Sequence, residues 1–246
     1  MDETSPAVSE DRVLGGRVIL RQPARGYRAG LDAALLAAAC DAAPGERVID
    51  AGCGVGAVML ATAARRPGVH FVGIERDPVA VALARENAAA NGFADRVEVL
   101  QADVTTPSPA QFDAALCNPP YFDDARAIRG PHPAKRSAFL AEGGLGAWAQ
   151  FLLAAVRDGG TITLVHRPDR LADILALLGT KAGSFQVRPV HPFVDEPAGR
   201  VLVRAVRGGR APLRLLPALV AHARGHPGHT AETEAILRGA AALPWL

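Results

Sequence analysis

Arg47-Val48-Ile49-Asp50-Ala51-Gly52-Cys53-Gly54-Val55-Gly56 decides the fold. A short apolar run ends in an acid followed by three alternating glycines, and a helix-forming stretch over residues 57–65 comes next. That is a strand, a tight turn and a helix in succession. The pattern repeats on both sides. His70-Phe71-Val72-Gly73-Ile74 reads as a strand closed by Glu75, and Asp77-Pro78 starts a helix with an N-cap acid and a proline in its first turn. Val79, Leu83, Glu86 and Ala90 read as one face of that helix, which Asn91-Gly92 ends. Further strands are expected over 97–100, 112–117, 161–165, 185–190 and 201–206, and further helices over 31–40, 145–156, 169–178 and 231–238. Alternating strands and helices imply parallel pairing through right-handed crossovers. The last two strands lie too close for a helical crossover, so one of them should run antiparallel. Gly15-Gly16, between Val13-Leu14 and Val18-Ile19-Leu20, marks a hairpin before the first helix. The expectation is an α/β, Rossmann-like sheet of seven strands, mostly parallel with an antiparallel last strand, plus an N-terminal hairpin and helix.

At 246 residues the chain fits one domain over residues 12–246: a hairpin and helix (12–43), a catalytic core (44–207) and a C-terminal extension (208–246). Polar, acidic residues 1–11 read as a disordered tail without the basic-then-apolar pattern of a signal peptide. No stretch is apolar for long enough to span a bilayer, and a cytoplasmic protein is expected. The net charge of +2 says little about partners. Cys40, Cys53 and Cys117 form no C-x-x-C pair, so neither zinc nor a disulfide framework is indicated. His222, His226 and His229 lie in a polar stretch where solvent exposure is the ordinary fate, and no metal is expected.

Asn118-Pro119-Pro120-Tyr121 follows the apolar run 112–117. Two successive prolines force the chain to turn at a strand's carboxyl end, the edge where open α/β sheets bind ligands. An amide oxygen and a proline carbonyl can accept both protons of a planar NH2 group. The tyrosine can stack on the plane carrying it. This is a receptor for a flat exocyclic amine or a carboxamide.

Gly52, Gly54 and Ala57 also satisfy the dinucleotide pattern G-x-G-x-x-G/A, and Glu75 lies where a ribose-binding acid belongs. The glycine turn by itself therefore suits a nicotinamide dinucleotide and S-adenosylmethionine alike.

The glycine turn and Asn118-Pro119-Pro120-Tyr121 together resemble the Asn-Pro-Pro-Tyr class of S-adenosylmethionine-dependent N-methyltransferases, whose class I fold has this seven-strand layout. Three further stretches narrow the resemblance: Gly26-Tyr27-Arg28-Ala29-Gly30-Leu31-Asp32-Ala33-Ala34-Leu35-Leu36, His166-Arg167-Pro168-Asp169-Arg170-Leu171, and Thr230-Ala231-Glu232-Thr233-Glu234-Ala235-Ile236-Leu237-Arg238-Gly239. With them the chain is similar to the bacterial tRNA (adenine-N6)-methyltransferase family from about Arg12 onward. The resemblance implies S-adenosylmethionine as cofactor. Asp50, Gly52 and Gly54 would line its methionine and ribose end, with Arg28 and Asp32 closing over the methionine and Asp32 near the amino group. Glu75 would take the ribose hydroxyls, Arg76 would flank the adenine, and Asp103 and Val104 would meet its edge. Asn118, Pro119, Pro120 and Tyr121 would hold the acceptor. Phe122 would extend the stacking wall, while Arg126, Arg129, Lys135 and Arg136 would meet the phosphates of tRNA or another RNA.

Each acid has a plainer reading as a helix cap or a solvated loop residue, and the basic residues as a charged surface loop. Three other functions compete. A protein glutamine N-methyltransferase would use the same acceptor chemistry, usually with an N-terminal helical domain. A nicotinamide-dependent oxidoreductase would need a proton relay such as Tyr-x-x-x-Lys, which is not evident. A methyltransferase-fold module could also bind RNA without catalysis.

Overall fold

The computed structural model describes residues 7–24, 30–108, 110–121 and 144–245. A hairpin of β1 (Val8–Val13) and β2 (Val18–Pro23) is followed by α1 (Leu31–Ala39). The main sheet is then built from β3 (Arg47–Ala51), β4 (His70–Glu75), β5 (Val97–Gln101), β6 (Phe112–Cys117), β7 (Val156–His166), β8 (Ala182–His191) and β9 (Arg200–Arg207). These seven stand side by side in the order β5-β4-β3-β6-β7-β9-β8. All neighbours run parallel except β9, which is antiparallel to both β7 and β8. Two short strands, β10 (Arg214–Leu215) and β11 (Leu219–Val220), add to the outer edge of β8. The expected mostly parallel sheet with an antiparallel strand is present, extended by these two pieces.

The strands alternate between two cores. On β3, Val48 faces the core shared with α1, α2 (Ala57–Arg65) and α3 (Pro78–Ala90). Ile49 and Ala51 face the opposite core, formed with α4 (Gly144–Ala155) and α5 (Leu171–Leu178). Being covered on both faces is why these strands read as near-continuous apolar runs.

Two expectations change. Residues 8–11 belong to β1 and not to a tail. Their polarity fits an exposed hairpin strand, and Asp11 accepts a 2.7 Å hydrogen bond from the buried Gln22 amide. On α3, Val79 is 45% exposed and the buried face is Val81, Leu83, Ala84, Asn87 and Ala88.

Asn87 is fully buried because it stands in for a strand. Its Oδ1 accepts from Arg21 N (2.8 Å), and its Nδ2 donates to Arg21 O (2.9 Å) and to Val55 O (3.0 Å) in the glycine turn. One helical turn on, Asn91 makes the same pair with Ile19. The two side chains cover the edge of β2 that an exposed strand would otherwise leave unpaired.

The C-terminal segment, with α6 (Ala231–Leu237), folds back over α1 and α2. Arg65 bonds the carbonyls of Ile236 and Ala241, the Trp245 indole donates to Ala39 O (2.7 Å), and Arg188 reaches the carbonyls of Pro217 and Pro244. Cys40, just beyond α1, is buried, and its thiol is pushed up to about 11 mainly by that burial.

Asn87→Ala removes three hydrogen bonds and strands the Arg21 peptide and the Val55 carbonyl. We expect a loss of about 3 kcal/mol in urea or thermal unfolding. A loss below ~0.5 kcal/mol would mean that water replaces the amide.

Candidate active site

Four strand ends converge at the carboxyl edge. Register places Ala51 beside both Ile74 and Cys117, and Cys117 beside Leu164. The loops after β3, β4 and β6 therefore open side by side.

Strand alternation turns Asp50 toward α2. That helix begins at Gly56, which has no side chain to cap it, and Asp50 Oδ2 accepts the Met59 N–H at 3.1 Å. Asp50 is 1% exposed. Burial, with Glu75 nearby, raises its carboxyl to about 8 against the lowering effect of the Met59 bond. Opposite it in register is Gly73, where a Cβ would come within 2.8 Å of Cys53 Sγ, so only glycine admits the tucked-in turn. Cys53 and Cys117 are both buried, and burial followed by the Asp50 carboxylate pushes both thiols well above their ordinary value.

The turn glycines divide their tasks. Gly52 (φ +69°) leaves room for the Trp148 ring of α4, which would lie 2.5 Å from a Cβ. Gly54 (φ +53°) has nothing within 4 Å of where its Cβ would be. Backbone with no side chain, facing open space at a sheet edge, is a cradle for a ligand.

Glu75 binds this cradle to its neighbour. Oε2 accepts Gly54 N at 3.0 Å, while Oε1 accepts Arg76 N (2.8 Å) and Asp77 N (2.9 Å) at the head of α3. An ionised carboxylate offers about four acceptor positions, so Oε2 keeps one for a further donor such as a ribose hydroxyl. Across the gap to the loop after β5, Arg76 lies 3.8 Å from Asp103. Asp103 shapes that loop by accepting from Thr105 N and Oγ1, with Val104 half-buried in the turn. All three acids thus brace backbone: Asp50 caps α2, Glu75 ties the glycine turn to the loop after β4, and Asp103 shapes the loop after β5.

Asn118-Pro119-Pro120-Tyr121 leaves β6 with Pro119 buried and Asn118, Pro120 and Tyr121 half-buried. Tyr121 is held by residues distant in sequence. Its hydroxyl donates to Asp32 Oδ2 at 2.7 Å, the Arg200 guanidinium lies 4.8 Å from its ring centroid, and His166 meets its ring near edge-on at 5.1 Å. Arg200 also reaches Asp32 Oδ1 at 3.1 Å. Burial would lower the Arg200 guanidinium, but Asp32 and Tyr121 outweigh it and raise it. Asp32, expected by resemblance near the cofactor's amino group, is bonded here to Tyr121 and Arg200. Arg200 was not singled out in the sequence, and no local pattern marks it. His166 lay in a quoted stretch but had no assigned role.

Arg28, Phe122, Arg126, Arg129, Lys135 and Arg136 lie outside the described residues. Among the described residues no group of three His, Cys, Asp or Glu side chains converges as a metal site. His222 and His229 stack on each other at 4.7 Å. No helix among the described residues is long and apolar enough to cross a membrane.

Asp50 sets a pH dependence. Its folded value near 8 exceeds the unfolded value near 4, so between these the folded state holds a proton that the unfolded state has lost. Stability should fall as pH rises through that window. Asp50→Asn keeps the acceptor for Met59 and removes the titration. It should gain on the wild type with rising pH, on the order of a few kcal/mol by pH 8, in denaturant titrations at pH 5, 6.5 and 8. A pH-independent difference would assign Asp50 an ordinary value.

Residues 28–132 match the methyltransferase small domain family model. The tRNA1(Val) (adenine(37)-N6)-methyltransferase of Aeromonas hydrophila is 32% identical over 74% of this chain and 77% of its own length. The release factor glutamine methyltransferase of Chlorobaculum tepidum is 29% identical over 65% of this chain, which spans only 59% of that relative. A crystal structure described as a predicted O-methyltransferase from Agrobacterium tumefaciens superposes with a TM-score of 0.73 at 29% identity, covering 87% of this chain and 99% of its own. A relative matched at this identity over more than two thirds of its length, on a sheet of this topology, places the chain in the class I S-adenosylmethionine-dependent methyltransferase family, in the branch of the tRNA (adenine-N6)-methyltransferases.

Proposed function

We propose that this protein binds S-adenosylmethionine and methylates the exocyclic N6 of an adenine in RNA, with tRNA the first substrate to test. The observation that carries this reading is an Asn-Pro-Pro-Tyr motif with a fixed tyrosine, one strand away from an open glycine cradle. The cofactor supplies an electrophilic methyl group on a sulfonium. The residues present fit it. The bare Gly54 backbone admits its close approach, Glu75 Oε2 retains an acceptor position for a ribose hydroxyl, and the Arg76–Asp103 ion pair stands at the loop where its adenine is expected. Asp50 is a buried acid whose charged form a cationic ligand would favour.

On the acceptor side, the lone pair of an aromatic amine is delocalised into its ring and is a poor nucleophile. Asn118 Oδ1 and the Pro119 carbonyl, accepting its two N–H bonds, would localise that lone pair toward the methyl group. The contribution is orientation and electrostatics, and the proton can leave after transfer. The adenine must first leave its stack to enter the site.

The second reading is a protein glutamine amide, favoured by the Chlorobaculum relative. A carboxamide offers the same planar NH2. Labelled S-adenosylmethionine should be incubated with tRNA lacking its native modifications and, in parallel, with a release factor. Labelled N6-methyladenosine in tRNA supports the first reading. Label confined to protein selects the second, and label in neither sinks both. Asn118→Ala should reduce transfer by at least about a hundredfold with cofactor affinity nearly unchanged. Glu75→Ala should weaken cofactor binding measured by calorimetry. Full activity in the first variant would remove Asn118 from the acceptor site.

A further inference from the structure

Helix α1 is fastened to β9 at both ends. Asp32 in its first turn meets Arg200, and Asp41 just past its last turn meets Arg204 at 2.7 Å. The spacings are comparable: four strand residues rise about 13 Å, and the helical steps from Asp32 to Ala39 rise about 10.5 Å, with Cys40 and Asp41 completing the span. Arg200 and Arg204 also lie on one face of β9, with Leu202 between them packed in the core that α1 shares.

The two fastenings differ in one respect. At the Arg200 end the ion pair also captures Tyr121. Its hydroxyl bonds Asp32, and Arg200 covers one face of the ring. Arg200 is itself held by a 2.7 Å bond to the Gly199 carbonyl, and the β8–β9 loop is closed by Gly199 N donating to Val190 O. His166, the last residue of β7, supports the ring edge. The ring is thus fixed at its hydroxyl, on one face and at one edge by residues from α1, β9 and β7, while its backbone belongs to the loop after β6.

We infer that Arg200 and Asp32 are positioning residues that set the plane of Tyr121, and with it the orientation of the acceptor stacked there. A flat acceptor meets the face away from the guanidinium. A ring free to tilt would let the amine wander from the line of transfer, and displacements near 1 Å can cost on the order of a hundredfold in rate. The inference rests on the methyltransferase reading for its rate effect but not for its structural content.

The test exploits a chain with only two tyrosines, Tyr27 and Tyr121. Full-length protein labelled with 13C at the tyrosine ring carbon bearing oxygen gives two NMR signals, and Tyr121→Phe assigns them. Arg200→Ala and Asp32→Asn should shift the Tyr121 signal and lower kcat by about ten- to a hundredfold, with KM for S-adenosylmethionine within twofold in the Arg200 variant. Arg200→Lys should restore part of both. Arg204→Ala is the structural control: it loosens the same helix and should lower the melting temperature while leaving the Tyr121 signal and kcat alone. In a Tyr121→Ala background, Arg200→Ala should cost little more. A Tyr121 signal unmoved by Arg200→Ala, or losses that multiply in the double variant, would overturn the inference. If the wild type methylates no RNA, the function reading fails while the NMR comparison still decides the positioning role.

Discussion

A single carboxylate organises the edge on which the rest depends. Glu75 gathers one backbone amide from the glycine turn and two from the head of α3. An amide left without a partner is costly, so the glycine turn cannot part from the loop after β4 without stranding the Gly54 amide. The same group that stiffens the edge is aimed along it. Asp50 and Asp103 work similarly, one capping α2 from below and the other shaping the loop after β5. Acids that look redundant as ligands are first of all braces, and a ligand that recruits them meets side chains whose rotamers are already settled.

Asp50 shows the tension this creates. Full burial makes its charge unfavourable, yet it sits beside the cradle where a positively charged cofactor is proposed to bind. A well-packed apolar residue would suit the ligand-free fold better. Keeping an acid there fits a site whose most favourable state is the occupied one.

The sequence disclosed most of the sheet because strands covered on both faces are apolar throughout and are punctuated by glycine and proline. It misled where packing partners are distant. Residues 157–160, which fall between the expected helix over 145–156 and the expected strand over 161–165, lie inside β7. A register shift between Phe112 and Ala114 pairs Val156 and then Thr161 with β6, absorbing the intervening residues. The buried face of α3 was misread because its polar member, Asn87, is buried by pairing with a hairpin 66 residues earlier. In the site, the glycine turn and the acceptor motif are contiguous in sequence and were legible. Arg200 was not, since it meets Asp32 across 168 residues and carries no motif of its own. Contacts of that kind are set by topology.

The three thiols offer a last consequence. Cys53 sits in the glycine turn, Cys117 precedes the acceptor motif, and Cys40 lies at the far end of α1; all are buried and held protonated. A buried, protonated thiol does not react until its surroundings part. Alkylation at each position therefore clocks a separate opening of the native protein. Cys53 times the cradle, Cys117 times the acceptor loop, and Cys40 times the seam where the C-terminal segment crosses the helix. The chain carries three chemical stopwatches, two at the functional edge and one as a reference remote from it.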